Sequence, residues 1–282
     1  MLKVTFYGVR GSCPCPSEAN RRYGGNTACV VLEAPGEPPI ILDLGTGLRL
    51  YSEHQPTDGS FRATALITHI HWDHVQGIPF FPPIDRVGAE LDIYGPAQEG
   101  VSLEEAFAGF MRPPYFPVHV SDLRGDIRFH EVVDHDISVG AAKVRVRPVP
   151  HCGPTIGFRI EVGGQSVAYI SDHQAPKSLQ GVADTVLELC DGVDLLIHDA
   201  QYTPAEFEQK SHWGHCTIEY ALLVAKEAGA RELALFHHCP THGDDRLDTI
   251  LRDARELSAR MNGPEVFAAA DGLRHDLRPS NR

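Results

Sequence analysis

The residues with the clearest capacity for chemistry lie at positions 68–74, Thr-His-Ile-His-Trp-Asp-His. Histidine and carboxylate side chains are common ligands of Zn²⁺ and related cations. This stretch places four of them within six positions: His69, His71, Asp73 and His74. A solvent-facing loop that is merely rich in histidine is the alternative interpretation. The density of ligand types favours a metal centre.

The element that must position these side chains is a strand ending just before them. The apolar run 65–67 predicts a buried strand that opens into a loop. Because alternate residues of an extended segment point the same way, His69 and His71 can reach one ion from one side. If the chain then turns into a helix, Asp73 and His74 point elsewhere and can hold a second ion.

This motif resembles the signature of the metallo-β-lactamase-fold hydrolases, and the resemblance spans nearly the whole chain. That superfamily has a further histidine, a bridging aspartate and a last histidine, each at the end of a later strand. The matching positions, each after an apolar run, are His151, Asp172 and His237. The ligand sets that the resemblance implies are His69, His71 and His151 for one ion, Asp73, His74 and His237 for the other, and Asp172 as the bridge.

Further segments resemble the phosphodiesterase branch of that superfamily, which includes tRNase Z and cyclic-phosphate hydrolases. The segments are 8–12, 23–27, 42–47, 196–200 and 214–217. In this comparison Asp43 is a support residue, and Asp199 stands where tRNase Z has a glutamate. The stretch 214–217 resembles the His-Ser-Thr motif, with Cys216 in place of the serine.

The resemblance implies an enzyme, a hydrolase with two divalent metal ions that generate a metal-bound hydroxide. Ligands without thiolate suit Zn²⁺ best and also admit Mn²⁺ or Fe²⁺. His215 is the candidate for protonating the leaving group, with Asp199 orienting its imidazole. Asp73 belongs to the catalytic group as well as to the ligands. Asn26 and His212 are candidates for substrate binding.

The fold that the resemblance implies is α/β, an αββα four-layer sandwich of two mixed β-sheets flanked by helices, as one domain over 1–282. The alternation of elements is compatible with that architecture. Strands are predicted near 2–8, 28–34, 39–43, 63–67, 91–94, 127–131, 143–149, 156–162, 166–171, 193–198, 231–236 and 265–268. Helices are predicted near 98–111, 178–190, 204–210, 217–229 and 244–262.

The segment 96–125 is an irregular insertion between predicted core strands. Its apolar side chains and the proline-rich stretch 112–118 follow soon after the first ligand cluster. A lid or pocket wall is one interpretation, and a satellite hydrophobic cluster is the other. The segment does not resemble the long flexible arm of tRNase Z, which counts against a tRNA substrate.

The charge of the chain limits the substrate class. Acidic residues outnumber basic ones by 38 to 25, giving a net charge of −13. Long nucleic acids are bound by clustered Lys and Arg, and no such block is present, so a long nucleic acid is not expected as a partner. A small phosphodiester, such as a cyclic nucleotide or other cyclic phosphate, is the favoured substrate. The alternatives are hydrolysis of a thioester, lactone or β-lactam, a tRNA 3′-end endonuclease, and a non-catalytic sensor.

Cysteine usage and the absence of long apolar runs predict a cytoplasmic protein without membrane association. The seven cysteines are an odd number and lie mostly apart, which favours a reducing compartment. Cys13 and Cys15 form a Cys-Pro-Cys stretch, but no second pair exists to complete a structural zinc site. Relatives in the resembled family often form homodimers, and a homodimer stays open here.

Overall fold

The computed structural model describes residues 1–277 and contains two seven-stranded sheets packed face to face. The strands are β1 (Lys3–Gly8), β2 (Cys29–Glu33), β3 (Ile40–Leu42), β4 (Arg62–Leu66), β5 (Glu90–Gly95), β6 (Asp126–Glu131), β7 (Ile137–Val139), β8 (Ala142–Pro148), β9 (Ile156–Val162), β10 (Gln165–Ile170), β11 (Leu195–Asp199), β12 (Glu232–Phe236), β13 (Glu265–Ala268) and β14 (Arg274–Asp276). The α-helices are α1 (Gly47–Ser52), α2 (Trp72–Val75), α3 (Leu103–Phe110), α4 (Asp184–Cys190), α5 (Pro204–Lys210), α6 (Ile218–Glu227) and α7 (Asp244–Arg260). Short 3₁₀ turns occupy Glu18–Asn20, Ile78–Phe80, Pro82–Ile84 and Val120–Asp122.

Both sheets are mixed. The first has the order β14-β1-β2-β3-β4-β5-β6, and the second has the order β13-β12-β11-β10-β9-β8-β7. In the second sheet β10, β11, β12 and β13 are parallel, and β8 shares their direction because both β8 and β10 are antiparallel to β9. The carboxyl ends of β8, β10, β11 and β12 therefore meet at one edge. Loops leaving such an edge can carry a functional site on a rigid scaffold.

The core between the sheets is formed by the side chains that alternate inward from both of them. Phe6 of β1 contacts Phe236 of β12 across the interface, with ring centres 6.3 Å apart, and Tyr169 of β10 packs on the same ring at 5.7 Å. These side chains are fully buried. Burial of this apolar area is the main force that holds the two sheets together.

Helices cover the two outer faces, which gives the layer order αββα. The outer face of the second sheet packs against α4, α6 and α7, and that of the first packs against α1 and α3. Thr217 caps α6 by accepting a hydrogen bond from the Tyr220 amide at 3.1 Å, and Gly229 lies just beyond the helix with a positive φ. The predicted fold class is confirmed. No helix within residues 1–277 has both the length and the apolar character needed to cross a membrane.

Four strands and α-helices are absent from the sequence prediction, and two helices begin five or more residues later than predicted. The sequence did not predict β7, β14, α1 and α2, which are short and lack a clear apolar period. The predicted helix at 98–111 begins only at Leu103, because Ser102 and Glu105 form a capping box there. The predicted helix at 178–190 begins only at Asp184, since Gly181 has a left-handed backbone that interrupts any helix before it.

The insertion 96–125 packs on the outer face of the first sheet. Phe107 of α3 is buried and contacts Phe129 of β6, with ring centres 5.2 Å apart. Further along, Phe116 contacts Phe80 at 5.7 Å, whereas Tyr115 is exposed. The segment therefore has its own hydrophobic attachment to the sheet, and a lid function for it stays a prediction.

Candidate metal centre and active site

The seven predicted ligands converge at the edge where the sheets' functional loops meet. After β4 the chain passes through residues 67–70, has an extended backbone at His71, and then forms the short helix α2. Asp73 and His74 lie in the first turn of α2, so the backbone that carries them differs from the one that carries His69 and His71. The rings of His69 and His74 still approach each other, with centres 4.3 Å apart.

The first ligand group consists of three imidazoles. His69 Nε2 lies 2.8 Å and His151 Nε2 lies 3.3 Å from His71 Nδ1. The opposite nitrogen of His151 donates to the Gly214 carbonyl at 2.6 Å, and His69 Nδ1 lies 3.1 Å from Thr68 Oγ1. Such outer hydrogen bonds fix the orientation of each ring and leave the inner nitrogen free to bind a cation.

The second ligand group combines one carboxylate with two imidazoles. His237 Nε2 lies 3.1 Å and His74 Nε2 lies 3.3 Å from Asp73 Oδ2. Each imidazole is held from behind: His74 Nδ1 donates to Asp43 Oδ2 at 2.7 Å, and His237 Nδ1 donates to Gln201 Oε1 at 2.7 Å. Asp43 therefore supports a ligand residue, as the sequence comparison implied.

Asp172 lies between the two groups. Its Oδ1 is 3.9 Å from Nε2 of both His69 and His151, and 3.5 Å from His237 Nε2. Its Oδ2 is 3.2 Å from His74 Nε2. One carboxylate thus approaches both ligand groups, which is the position a bridging ligand requires.

Two buried polar atoms in this centre show that the residues fit a metal ion. His74 Nε2 and Asp172 Oδ2 are both buried and lie 3.2 Å apart, but within residues 1–277 neither atom makes a hydrogen bond of acceptable geometry. A buried polar atom without a partner is costly to the fold and calls for an explanation. A cation between the two ligand groups would coordinate both atoms.

The electrostatics of the first ligand group favour neutral imidazoles. Burial lowers the pKa of His69 well below its usual range, and it also lowers the pKa values of His71 and His151. A neutral imidazole has the free lone pair that metal binding needs.

In the second ligand group the pKa values of the imidazoles shift in the opposite direction. Burial would lower the pKa of His74 and of His237, but the carboxylates of Asp73 and Asp172 outweigh burial and raise both pKa values. The paired carboxylates therefore attract positive charge to this position. Protons and a divalent cation would compete for the same atoms.

Local backbone conformation allows the close packing around the ligands. A Cβ at Gly11 would overlap the ring of His237, and one at Gly214 would overlap the ring of His151. Ser12, Asp43 and His237 all have positive φ although they are not glycine. Such backbone conformations are costly and tend to occur at functional sites.

His215 lies beside the ligand groups and is held by a buried acid. Its Nδ1 is 3.0 Å from Asp199 Oδ2 and 3.6 Å from Asp172 Oδ1. Asp199 is fully buried and accepts hydrogen bonds from the backbone amides of Gln201 and His173 at 3.0 and 3.1 Å. The predicted pairing of His215 with Asp199 is present in the structure.

An open cavity of about 360 Å³ exposes this centre to solvent. Its volume is in the range of small-molecule sites. The residues that line it are Ser12, His71, Trp72, Asp73, Asp172, Trp213 and His215.

The remaining predicted site residues lie apart from the cavity lining. Asn26 Nδ2 donates to Asp271 Oδ2 at 2.9 Å, so this side chain holds its own loop. His212 is exposed beside Trp213. Substrate binding by Asn26 and His212 stays a prediction. Cys13 and Cys15 are free thiols, and the described residues do not bring them into a group of potential metal ligands.

Sequence reasoning missed three contributors to this site. Gln201, which follows the end of β11, contacts His237 directly. The Ser12 backbone amide donates to Asp73 Oδ2 at 2.7 Å, and Trp72 lines the cavity. A polar residue just after a buried strand was the available signal for Gln201, whereas a backbone donor leaves no signal in side-chain type.

Comparison with known proteins agrees with this geometry. The family described as the beta-lactamase superfamily domain matches residues 41–238. The chain belongs to the metallo-β-lactamase superfamily. The predicted family and the prediction of an enzyme, a hydrolase of this superfamily, are confirmed.

Relatives of this metallo-β-lactamase-fold chain match over most of their length. An uncharacterized protein of Mycobacterium tuberculosis is 27% identical, over 96% of this chain and 90% of its own. Ribonuclease Z of Natronomonas pharaonis is also 27% identical, over 98% of each chain.

Solved structures share the fold at lower identity. The metallo-β-lactamase fold protein YhfI of Bacillus subtilis has a TM-score of 0.72 at 20% identity, over 97% of this chain and 98% of its own. Human tRNase Z, short form, has a TM-score of 0.70 at 22% identity, over 98% and 99%. A diphosphatase of the PhnP family has a TM-score of 0.69 at 19% identity, over 99% and 98%.

Proposed function

We propose that the chain is a dinuclear-metal phosphodiesterase that acts on a small phosphodiester. The observation that carries the proposal is the arrangement of two ligand groups around Asp172, with the His215–Asp199 pair at the same cavity. The first group would hold one ion through His69, His71 and His151. The second would hold the other ion through Asp73, His74 and His237.

The donor set indicates which cations suit the site. It consists of imidazole nitrogens and carboxylate oxygens without thiolate, which suits Zn²⁺ and also admits Mn²⁺ or Fe²⁺. Two such ions would lower the pKa of water and neutralise charge on a phosphodiester. The protein's part is to hold the ligands rigidly, which the outer hydrogen bonds of His74, His151 and His237 do.

His215 would act as the general acid. A leaving alkoxide needs a proton, and a positioned histidine is a common general acid. Asp199 accepts a hydrogen bond from His215 Nδ1 and orients the ring, so the proton to be donated is the one on Nε2. Because Asp199 is itself bound by two backbone amides, it orients the imidazole from a fixed position.

Size and charge favour a small substrate over a long nucleic acid. The cavity of about 360 Å³ matches a small molecule. A net charge of −13 disfavours a polyanion, whose binding depends on clustered basic residues. Cleavage of tRNA is the second candidate, because a ribonuclease Z matches 98% of this chain.

The test is a substrate panel with zinc- or manganese-loaded protein. It contains bis-(p-nitrophenyl) phosphate, cyclic mono- and dinucleotides, a precursor tRNA, a thioester and a lactone. We expect turnover of the small phosphodiesters with negligible cleavage of the thioester, the lactone and the tRNA. Absence of diester cleavage in protein that holds two metal ions would refute the proposal.

A further inference from the structure

The chain contains two tryptophans, and both line the cavity. Trp72 is 67% exposed and Trp213 is 56% exposed. Tryptophan is large and apolar, and it is highly buried on average. Neither the core nor the proposed metal chemistry accounts for two exposed indoles at this position.

Both tryptophans lie on backbone segments that also carry predicted site residues. Trp72 is the first residue of α2, directly between His71 and Asp73. Trp213 precedes Gly214-His215, and its backbone amide donates to the Lys210 carbonyl at 2.9 Å. Lys210 Nζ also lies 5.5 Å from the centre of the Trp213 ring, a cation–π contact that steadies the indole while leaving it exposed. The indoles are therefore attached to the same backbone segments that carry His71 and His215.

The cavity is lined by both polar and aromatic side chains, which suits a ligand with two chemically different parts. Part of the cavity lining is polar and includes His71, Asp73 and Asp172 of the proposed metal centre, which suits a phosphodiester. The other part of the lining is aromatic and consists of Trp72 and Trp213, and nucleobases of any sequence stack favourably on aromatic side chains. Because the chain is acidic and the cavity is small, the ligand is of mononucleotide size and not a long strand.

We propose that Trp72 and Trp213 form a nucleobase platform and that the substrate is therefore a nucleoside phosphodiester. This inference rests on the proposed phosphodiesterase function and narrows its substrate class. It assigns to Trp72 and Trp213 the selection of base-bearing diesters over cyclic sugar phosphates that lack a base. Stacking is tolerant of base identity, so the platform selects for a base and discriminates weakly among bases.

The first test uses tryptophan fluorescence, since both fluorophores of this type lie at the cavity. Zinc-loaded protein is excited at a wavelength selective for tryptophan and titrated with adenosine 5′-monophosphate or ribose 5-phosphate. We expect saturable quenching by the nucleotide and a much smaller response to the sugar phosphate. Equal responses, or no response to the nucleotide, would overturn the platform. Emission that depends on protein concentration and not on nucleotide would overturn it too, because a second copy would then cover the indoles.

The second test compares two esters with the same leaving group, thymidine 5′-(p-nitrophenyl phosphate) and methyl p-nitrophenyl phosphate. In Trp72→Ala and Trp213→Ala, we expect kcat/KM for the thymidine ester to fall roughly tenfold more than for the methyl ester. The difference should appear mainly in KM, and Trp213→Phe should restore most of it. Tyr115→Ala is the matched control, because Tyr115 is an exposed aromatic residue outside the cavity lining.

The outcomes separate this inference from the proposed function. Equal loss on both esters, or no loss, overturns the platform while diester cleavage by the unaltered protein still stands. If the unaltered protein cleaves neither ester but is quenched by the nucleotide alone, phosphodiester hydrolysis is wrong and the base-binding site is supported.

Discussion

His215 is the residue whose chemistry can be separated most cleanly from metal binding. It contacts Asp199 and lies near Asp172 without belonging to either proposed ligand group. We predict that His215→Ala lowers kcat by roughly 10²–10⁴-fold, because general acid catalysis contributes effects of that size. Elemental analysis of the same sample should still find two metal ions per chain. Loss of metal in parallel with activity would show that His215 is a ligand instead.

Gln201 should control metal affinity through the orientation of His237. Its Oε1 accepts the hydrogen bond from His237 Nδ1, and its Nε2 donates to Tyr202 Oη at 3.1 Å. We predict that Gln201→Leu weakens binding of the more weakly held zinc ion by roughly 10–100-fold, measured by competition with a chelator. Gln174→Leu is a comparison variant. Gln174 accepts a hydrogen bond from the Gly214 backbone amide and so holds the loop near the first ligand group. An unchanged zinc affinity in Gln201→Leu would contradict this role.

At the scale of single residues, the sequence indicated the proposed ligands, but it did not indicate several of the groups that hydrogen-bond to them. The seven proposed ligands were identified because histidine and aspartate occur in a recognisable order at strand ends. Gln201 and the backbone amide of Ser12 were missed because their roles depend on which loops meet in space. The bond of Asn26 to Asp271 was missed for the same reason, since it joins residues far apart in the chain, and substrate binding by Asn26 stays a prediction.

Among the structural elements, the loop after β1 depends on a buried arginine. Arg10 is fully buried, and it donates to the carbonyls of Gly24 at 2.7 Å, His242 at 2.7 Å and Cys239 at 3.2 Å. It thereby ties the connection between β1 and β2 to the loop that follows His237.

Replacement of this arginine should destabilise the fold strongly. We predict that Arg10→Met lowers the free energy of unfolding by about 3 kcal/mol, because buried carbonyls lose charged donors. The control is Arg252→Met, which removes an exposed arginine paired with Asp253 and should cost under about 1 kcal/mol. Chemical denaturation of both variants gives the comparison. Equal effects would mean that the bonds of Arg10 contribute little.

The sequence predicted elements most accurately where a strand has a clear apolar run or a helix has a clear cap. The predicted strands at 156–162 and 265–268 and the predicted helix at 204–210 match the structure at both ends. The edge strands β7 and β14 were missed because each has three residues, and β14 consists of Arg274-His275-Asp276 without an apolar alternation. Pairing with β1 is what makes β14 a strand, and such pairing is a tertiary effect.

At the scale of the whole molecule, the carboxyl group of Asp271 should make the free energy of unfolding depend on pH. Burial raises the pKa of Asp271 from 3.8 to about 6, although hydrogen bonds from Asn26 and Gly25 partly oppose this. A raised pKa in the folded state means that the folded protein binds the proton more tightly. The resulting stabilisation is complete below about pH 4 and is lost as the pH rises through about 6.

The corresponding measurement compares the unaltered protein with Asp271→Asn across this pH range. We predict that the difference in unfolding free energy, unaltered protein minus variant, decreases by up to about 3 kcal/mol between pH 4 and pH 7. The other carboxyl groups are common to both proteins, so the difference isolates Asp271. A difference that is independent of pH would contradict the raised pKa.

The proposed activity depends on seven side chains, from the segments that follow β4, β8, β10 and β12, binding two cations at one edge of the sheets. The most direct measurement is anomalous scattering from crystals of zinc-loaded protein, with elemental analysis of the same preparation. We predict two zinc ions per chain about 3.5–4 Å apart, one bound by His69, His71 and His151, the other by Asp73, His74 and His237, with Asp172 contacting both. Zinc found only elsewhere, such as between Glu206, Cys239 and His242, or no zinc uptake at all, would contradict the account.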